Sequence, residues 1–229
     1  MKILLATQKP FAAAAVNGIR SILEEAGNEV VLLEKYAGED ELVAAVADVD
    51  AMIIRSDKVT ARVLDAAPKL KIVVRAGAGF DNVDLAAATA HGVVVENTPG
   101  QNSNAVAELA IAMMIYMSRN QFTPATGTEI SGKTVGIQAF GNVGRLVGQK
   151  AAALGMKVKA VDPFIPAEKI AEAGAEPVAD VAALYSSSDF VSVHIPALPS
   201  TIGSIGYDLI TSMPKGAVLV NTARKEVID

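Results

Sequence analysis

Short runs of consecutive apolar residues recur along the chain at nearly regular intervals. They are Ile3–Ala6, Val30–Leu33, Met52–Ile54, Ile72–Val74 and Val93–Val95, followed by Val135–Ala139, Val158–Val161, Phe190–Val193 and Val218–Val220. Alanine-rich segments of helical period separate most of them: Phe11–Ala26, Glu41–Val49, Ala61–Ala67, Val83–Ala90, Val143–Leu154 and Asp180–Ser186. Continuous rather than alternating apolar runs predict strands buried on both faces, hence parallel sheets covered by helices. That pattern belongs to the α/β class.

One segment breaks the rhythm. Ser103–Arg119 reads as a helix about twice as long as its neighbours, and Asn120–Ser131 is a loop rich in Gly, Pro and Thr before a new strand–helix unit opens at Lys133. The expected organisation is therefore a first α/β domain over 1–100, a hinge helix and linker over 101–131, and a second α/β domain over 132–229. The longest apolar stretch, Ala105–Met117, carries Glu108 and is shorter than the roughly 20 residues that cross a bilayer. A chain outside membranes, in the cytoplasm, is the expectation.

Composition narrows the chemistry. With 51% hydrophobic residues the chain can offset its ordering entropy by burial, which excludes a disordered protein. A net charge of −5 with no basic block gives no footprint for nucleic acid. Cysteine is absent and only His91 and His194 are present, so thiolate chemistry is excluded and a metal site is not expected.

Two glycine loops come directly after strands. A dinucleotide site needs amides open to the pyrophosphate, a helix N-terminus, a small residue where helix crosses strand, and an acid about 20 residues later for the ribose. Ala139-Phe140-Gly141-Asn142-Val143-Gly144 meets these conditions, with the helix Val143–Leu154 behind it and Asp162 closing the next strand. Alanine in place of the first glycine reads as a mild departure, and an aspartate at 162 favours NAD over NADP. Arg75-Ala76-Gly77-Ala78-Gly79-Phe80-Asp81-Asn82, with Glu96 after the next strand, is a rival by spacing, but Asn82 is large for tight helix–strand packing.

Arg55, Ser56 and Lys58 come after one strand of the first half and Arg75 after another. Ligands of open α/β sheets bind at such ends, and arginine there can grip carboxylate or phosphate; solvated surface charge is the other reading. His194 ends a strand of the second half and reads as a proton donor, a cofactor-wall residue or a structural one. His91, before Gly92, reads as a helix C-terminal cap. Arg224, past Val218–Val220, faces either a cofactor's reactive ring or solvent.

These motifs together resemble the D-2-hydroxyacid dehydrogenase family, and within it the members acting on phosphorylated acids. The likeness runs through Ile54-Arg55-Ser56, Val74 to Asp84, Asn97-Thr98-Pro99-Gly100 with Asn104 to Glu108, and the second glycine loop. Val193-His194-Ile195-Pro196, Met213 to Ala217 and Asn221-Thr222-Ala223-Arg224 complete it. It implies a flavodoxin-like substrate domain and a Rossmann NAD-binding domain. NAD would be held by Ala78, Gly141, Asn142, Val143, Gly144, Asp162, Pro163, His194, Ile195, Pro196, Asn221, Thr222, Ala223 and Arg224. Arg224 would be the catalytic arginine. Arg55, Ser56, Lys58, Arg75 and the amides of Ala76, Gly77, Ala78 and Gly79 would hold the acid.

The implied reaction is oxidation of 3-phospho-D-glycerate to 3-phosphohydroxypyruvate, on the route to serine. Another D-2-hydroxy acid or a non-catalytic NAD(H)-sensing role are the alternatives, and a homodimer through 101–120 is implied. Three positions depart from the family pattern. The 120–131 loop is short, Lys225 stands where glycine usually comes after the arginine, and the family's glutamate–histidine acid/base pair would lie past Asp229. The 229 residues alone are therefore expected to be a truncated form with little turnover and a bare sheet edge after Val218–Val220.

Overall fold

All nine apolar runs form strands in the computed structural model, which describes every residue from Met1 to Asp229. The chain divides into two units, Met1–Gln101 and Asn102–Asp229. In the first, β1 (Lys2–Thr7), β2 (Glu29–Glu34), β3 (Ala51–Ile54), β4 (Ile72–Arg75) and β5 (Val94–Asn97) form one sheet in the order β2-β1-β3-β4-β5. Every neighbouring pair is parallel. Successive residues Leu4 and Leu5 on β1 are both fully buried, so both faces of that central strand are covered, as an unbroken apolar run requires. The cover comes from α1 (Ala13–Glu25), α2 (Glu39–Ala45), α3 (Ala61–Asp65) and α4 (Leu85–Ala90).

Local signals start these short helices. The Thr60 side chain accepts from the Val63 amide to open α3, and Asp84 accepts from the Ala87 amide to open α4. His91 is the C-cap residue of α4, its backbone N–H returning to Ala87 O. Its imidazole meets Asp65 at 2.9 Å instead of the helix carbonyls.

The second unit holds β6 (Thr134–Gln138), β7 (Lys157–Val161), β8 (Glu176–Pro177), β9 (Phe190–Val193) and β10 (Val218–Asn221), in the order β10-β9-β6-β7-β8. Again all pairs are parallel. Its helices are α5 (Ser103–Ser118), α6 (Asn142–Ala153), α7 (Ala167–Glu172), α8 (Val181–Ser186) and α9 (Tyr207–Thr211). No apolar run announces β8, α7 or α9, which are two to six residues long and bury little beyond Ile170. β10 is one edge of this sheet. Beyond it, the Ile205 amide donates to Val227 O and the Asp229 amide to Ile205 O, and both Ile205 and Val227 are fully buried.

The long helix is not a separate hinge. Ala107, Ala110, Ile111 and Met114 of α5 share one core cluster with Val135, Ile137, Phe140 and Val147, which makes α5 a layer of the second unit. Alanines spaced three apart let α5 lie close along α6. Its other face leaves Leu109, Met113, Tyr116 and Met117 exposed. Phe122 meets Tyr116 edge-on at 5.3 Å between ring centroids. No helix is long and apolar enough to cross a membrane.

Candidate functional site

In an open parallel sheet the crevice for a ligand lies outside the C-terminal strand ends, where the strand order reverses. In the second unit that point falls between β6 and β9. Gln138 pairs with both Val161 and Val193, and Val193 pairs with Asn221. The ends of β6, β7, β9 and β10 are thus level, and one edge gathers the 139–144 turn, Asp162, His194 to Pro196 and Asn221 to Arg224.

The turn after β6 runs straight into a helix. Gly141 is the N-cap of α6 and no side chain caps it, so the first amides of a 12-residue helix face outward with the positive end of its dipole. The two glycines do different work. A Cβ on Gly144 would lie 2.2 Å from Ala139 O and 3.1 Å from Ile137 Cγ2, so that position is closed by helix–strand packing. A Cβ on Gly141 would meet nothing within 4 Å. No packing contact of the chain fills that gap.

Ala139 is less innocent than its sequence suggests. Its φ is +72°, in the left-handed region where a β-carbon costs about 1–2 kcal/mol and glycine none. The position demands a backbone conformation as well as a tight turn, so alanine there is a strained substitute, correcting the expectation of a mild departure.

Asp162 ends β7 with its carboxylate tied to backbone. The Phe140 amide donates to Oδ2 and the Phe164 amide to Oδ1, each at 2.8 Å. The carboxylate is thereby locked to the turn that leads into α6, and Pro163 beside it is exposed. Amides at a helix start, a vacant space at Gly141 and an acid fixed beside them fit the pyrophosphate and ribose of a dinucleotide.

On the other side of the reversal, His194 is half-buried, with Nε2 2.9 Å from Ser192 Oγ and Nδ1 3.3 Å from Thr222 Oγ1. Burial pushes its pKa down to about 4, so the imidazole is neutral near pH 7. It joins β9 to the turn after β10. Asn221 shapes that turn: its Oδ1 accepts from the Ala223 amide at 2.9 Å and its Nδ2 donates to Arg224 O at 2.8 Å. Arg224 Nη1 donates to Ala223 O. Ile195 is half-buried and Pro196 exposed, and Lys225 begins a short 3-10 turn after the arginine.

The first unit reverses its strand order between β1 and β3. Arg55, Ser56 and Lys58 are exposed just past β3, and Arg75 ends β4 opposite Ile54. The loop after β4 is unlike that after β6. No helix starts until Leu85, and side chains from neighbouring strand ends hold the path. Asn97 Nδ2 donates to Ala78 O at 2.7 Å, and Asn82 Nδ2 donates to Asp57 O at 2.6 Å. Ala76 donates its amide to Ile54 O, while Gly77, at φ +153°, gives its amide to Arg75 O. Those two bonds occupy two of the amides expected to face a ligand. A Cβ on Gly77 would sit 1.5 Å from Arg75 Nη1, so the glycine makes room for the arginine to fold across the loop.

Asp57 belongs to none of the sequence motifs. It is 4% exposed between exposed neighbours, and its carboxylate accepts from the Gln8 amide, the Tyr36 hydroxyl and the Arg55 amide. Burial, with this carboxylate alongside, pushes the Tyr36 phenol above the ordinary tyrosine range. A lone acid amid basic residues at a strand end was the one available signal. Also unforeseen is the fully buried Tyr185, whose hydroxyl donates to Gln138 Oε1 at 2.8 Å beneath the glycine turn.

The chain is similar to known proteins along these elements. Residues 105–229 match the family model described as D-isomer specific 2-hydroxyacid dehydrogenase, NAD binding domain. D-3-phosphoglycerate dehydrogenase of Mycobacterium bovis is 42% identical over 204 residues, covering 83% of this chain and 38% of the relative. The rat protein of that name is 40% identical over 225 residues, 92% of this chain and 42% of the relative. The chain thus spans about two fifths of the length of these curated relatives. The crystal structure of cofactor(NAD+)-bound 3-phosphoglycerate dehydrogenase of Entamoeba histolytica has a TM-score of 0.94 and 46% identity, over 100% of this chain and 74% of that one. With the glycine turn, the acid after β7 and the matched residues all in the second unit, the chain belongs to the D-2-hydroxyacid dehydrogenase family and carries its NAD-binding domain.

Proposed function

We propose that this chain takes part in NAD-dependent oxidation of a D-2-hydroxy acid, and that the acid is 3-phospho-D-glycerate, converted to 3-phosphohydroxypyruvate on the way to serine. The observation that carries the reading is the 139–144 turn. Its open N-terminal amides, the vacant space at Gly141 and the fixed carboxylate of Asp162 suit NAD. In this reading the amides of Asn142 and Val143 hold the pyrophosphate and Asp162, with Pro163 beside it, takes the adenosine ribose. His194, Ile195, Pro196 and Asn221 to Arg224 line the nicotinamide end, and Ala78 is proposed as a further cofactor contact. NAD, when bound, would accept the hydride from C2 of the acid, and the hydroxyl proton passes to solvent, leaving the keto acid.

The residues of the chain do the holding. Arg224, presented by the Asn221 turn, grips the carboxylate and stabilises the developing carbonyl oxygen. Neutral His194, with both ring nitrogens against hydroxyls, keeps Thr222 in place and takes no proton in this scheme. Arg55, Ser56, Lys58 and Arg75, with the amides of Ala78 and Gly79, hold the acid, the cations meeting its phosphoryl end. The D-3-phosphoglycerate dehydrogenase names of the relatives support that choice of acid. The exposed apolar face of α5 around Leu109, Met113 and Tyr116 is proposed as the face that pairs two copies. Gel filtration at micromolar concentration should give twice the monomer mass.

The deciding experiment is calorimetric titration of the chain with NADH and then with 3-phosphoglycerate or D-glycerate. Binding of NADH with preference for the phosphorylated acid is expected. Folded protein that gives no heat with NADH or NAD would end the dehydrogenase reading, and equal affinity for both acids would end the choice of a phosphorylated one.

A further inference from the structure

Three loops meet at the C-terminal edge of the first sheet, and one buried side chain touches all of them. Asp57 lies between Arg55 and Ser56 on one side and Lys58 on the other, all three exposed while it is 4% exposed. Its Oδ1 accepts from the Gln8 amide past β1 at 2.7 Å and from the Tyr36 hydroxyl past β2 at 2.6 Å. Its Oδ2 accepts from the Arg55 amide past β3 at 3.3 Å. Its carbonyl accepts from Asn82 at the far end of the glycine loop. A buried carboxylate is costly unless its lone pairs are met, and here they are met by groups that shape this edge.

The surroundings give the arrangement a direction. Thr7, fully buried at the end of β1, donates its hydroxyl to Lys9 O, so Lys9 joins Arg55 and Lys58 as a third exposed cation on these strand ends. Charge alone makes Asp57 a poor choice beneath an anion site, since its negative charge opposes any phosphate that settles on these cations. A residue placed there against its charge acts through geometry.

We propose that Asp57 is the positioning residue of the phosphoryl subsite, fixing the 55–58 loop so that Arg55 and Lys58 converge on one anionic group. This rests on the reading of that edge as the acid's site. Asp57→Asn is the informative substitution, because it keeps the size but sets an amide N–H against the Arg55 N–H. If Asp57 mattered only through its charge, the variant would bind a phosphorylated acid more tightly. If it positions the loop, binding weakens.

The test titrates 3-phosphoglycerate, D-glycerate and NADH into the unaltered chain and the variants Arg55→Ala, Asp57→Asn and Tyr36→Phe. Arg55→Ala and Asp57→Asn should each weaken 3-phosphoglycerate binding by about tenfold, the scale of one lost charge-assisted hydrogen bond. Tyr36→Phe should weaken it by about threefold, and D-glycerate and NADH affinities should stay level. Weakened 3-phosphoglycerate binding in Arg55→Ala with unchanged or tighter binding in Asp57→Asn would overturn the role of Asp57 and leave the substrate reading standing. Equal weakening of both acids would overturn it too, marking a loosened sheet edge rather than an aimed loop. An unaltered chain that does not distinguish the two acids would remove the substrate reading and this proposal together. Should Asp57→Asn fail to fold, Tyr36→Phe decides: unchanged 3-phosphoglycerate affinity overturns the proposal.

Discussion

Two glycine-containing loops leave two parallel sheets of this protein, and they are built to opposite plans. After β6 the chain enters α6 within four residues, and the amides at the helix start point out with no side chain across them. After β4 it wanders through residues 76–84, pinned by Asn97, by Asn82 and by the Arg75 side chain lying over Gly77. The first plan makes an open cradle with a dipole behind it. The second makes a stiff shelf beside basic residues. Glycine spacing is nearly the same in both, and the difference lies in the next element, a 12-residue helix in one case and a pinned loop in the other.

The comparison can be broken most forcefully at the helix crossing. Gly144→Val would drive its Cβ into Ala139 O, and an overpacked contact of this kind should cost about 3 kcal/mol of stability, read from the denaturant midpoint. No such loss would mean that the turn can move away from β6.

Acid should separate the two sheets next. The folded pKa of His194, about 4, lies below the unfolded value near 6.5. Stability is therefore undiminished above pH 6.5 and falls as pH drops from 6.5 towards 4, where the unfolded chain binds a proton that the folded one refuses, by up to about 3 kcal/mol. Hydrogen exchange at pH 5 against pH 7 should show protection falling more in β9 and β10 than in β1 and β3, and His194→Gln should flatten that difference.

A subtler contrast lies within the loop after β6. Gly141→Val has room inside the chain, so stability should shift by no more than about 1 kcal/mol while NADH affinity drops by about tenfold or more. Equal loss of both would return Gly141 to a packing role. Smallest is Ala139→Gly, which relieves a φ of +72° and should raise stability by about 1 kcal/mol with NADH binding retained.

Much of this was legible along the chain. Every unbroken apolar run became a strand, but only inner strands such as β1 and β9 are covered on both faces; the edge strands β2 and β5 leave Leu32 and Val94 exposed. The candidate residues of the second unit lie on one edge because each comes directly after its strand and the strands are in register. β8, α7 and α9 carried too little apolar burial to write a period. Asp57 was hidden for a different reason: its partners lie 49, 21 and 2 positions away, and charge among neighbours in sequence suggested solvent.

The sequence by itself determined the parallel α/β class, the strand ends where chemistry gathers and the turn suited to NAD, because these are written in periods and spacings a few residues long. Tertiary structure alone decided that α5 is a layer of the second unit, that Ala139 is strained, that Gly144 is closed by packing while Gly141 is open, and that Asp57 ties three loops. Each of those depends on which distant atoms come within a few ångströms, and no local pattern encodes that.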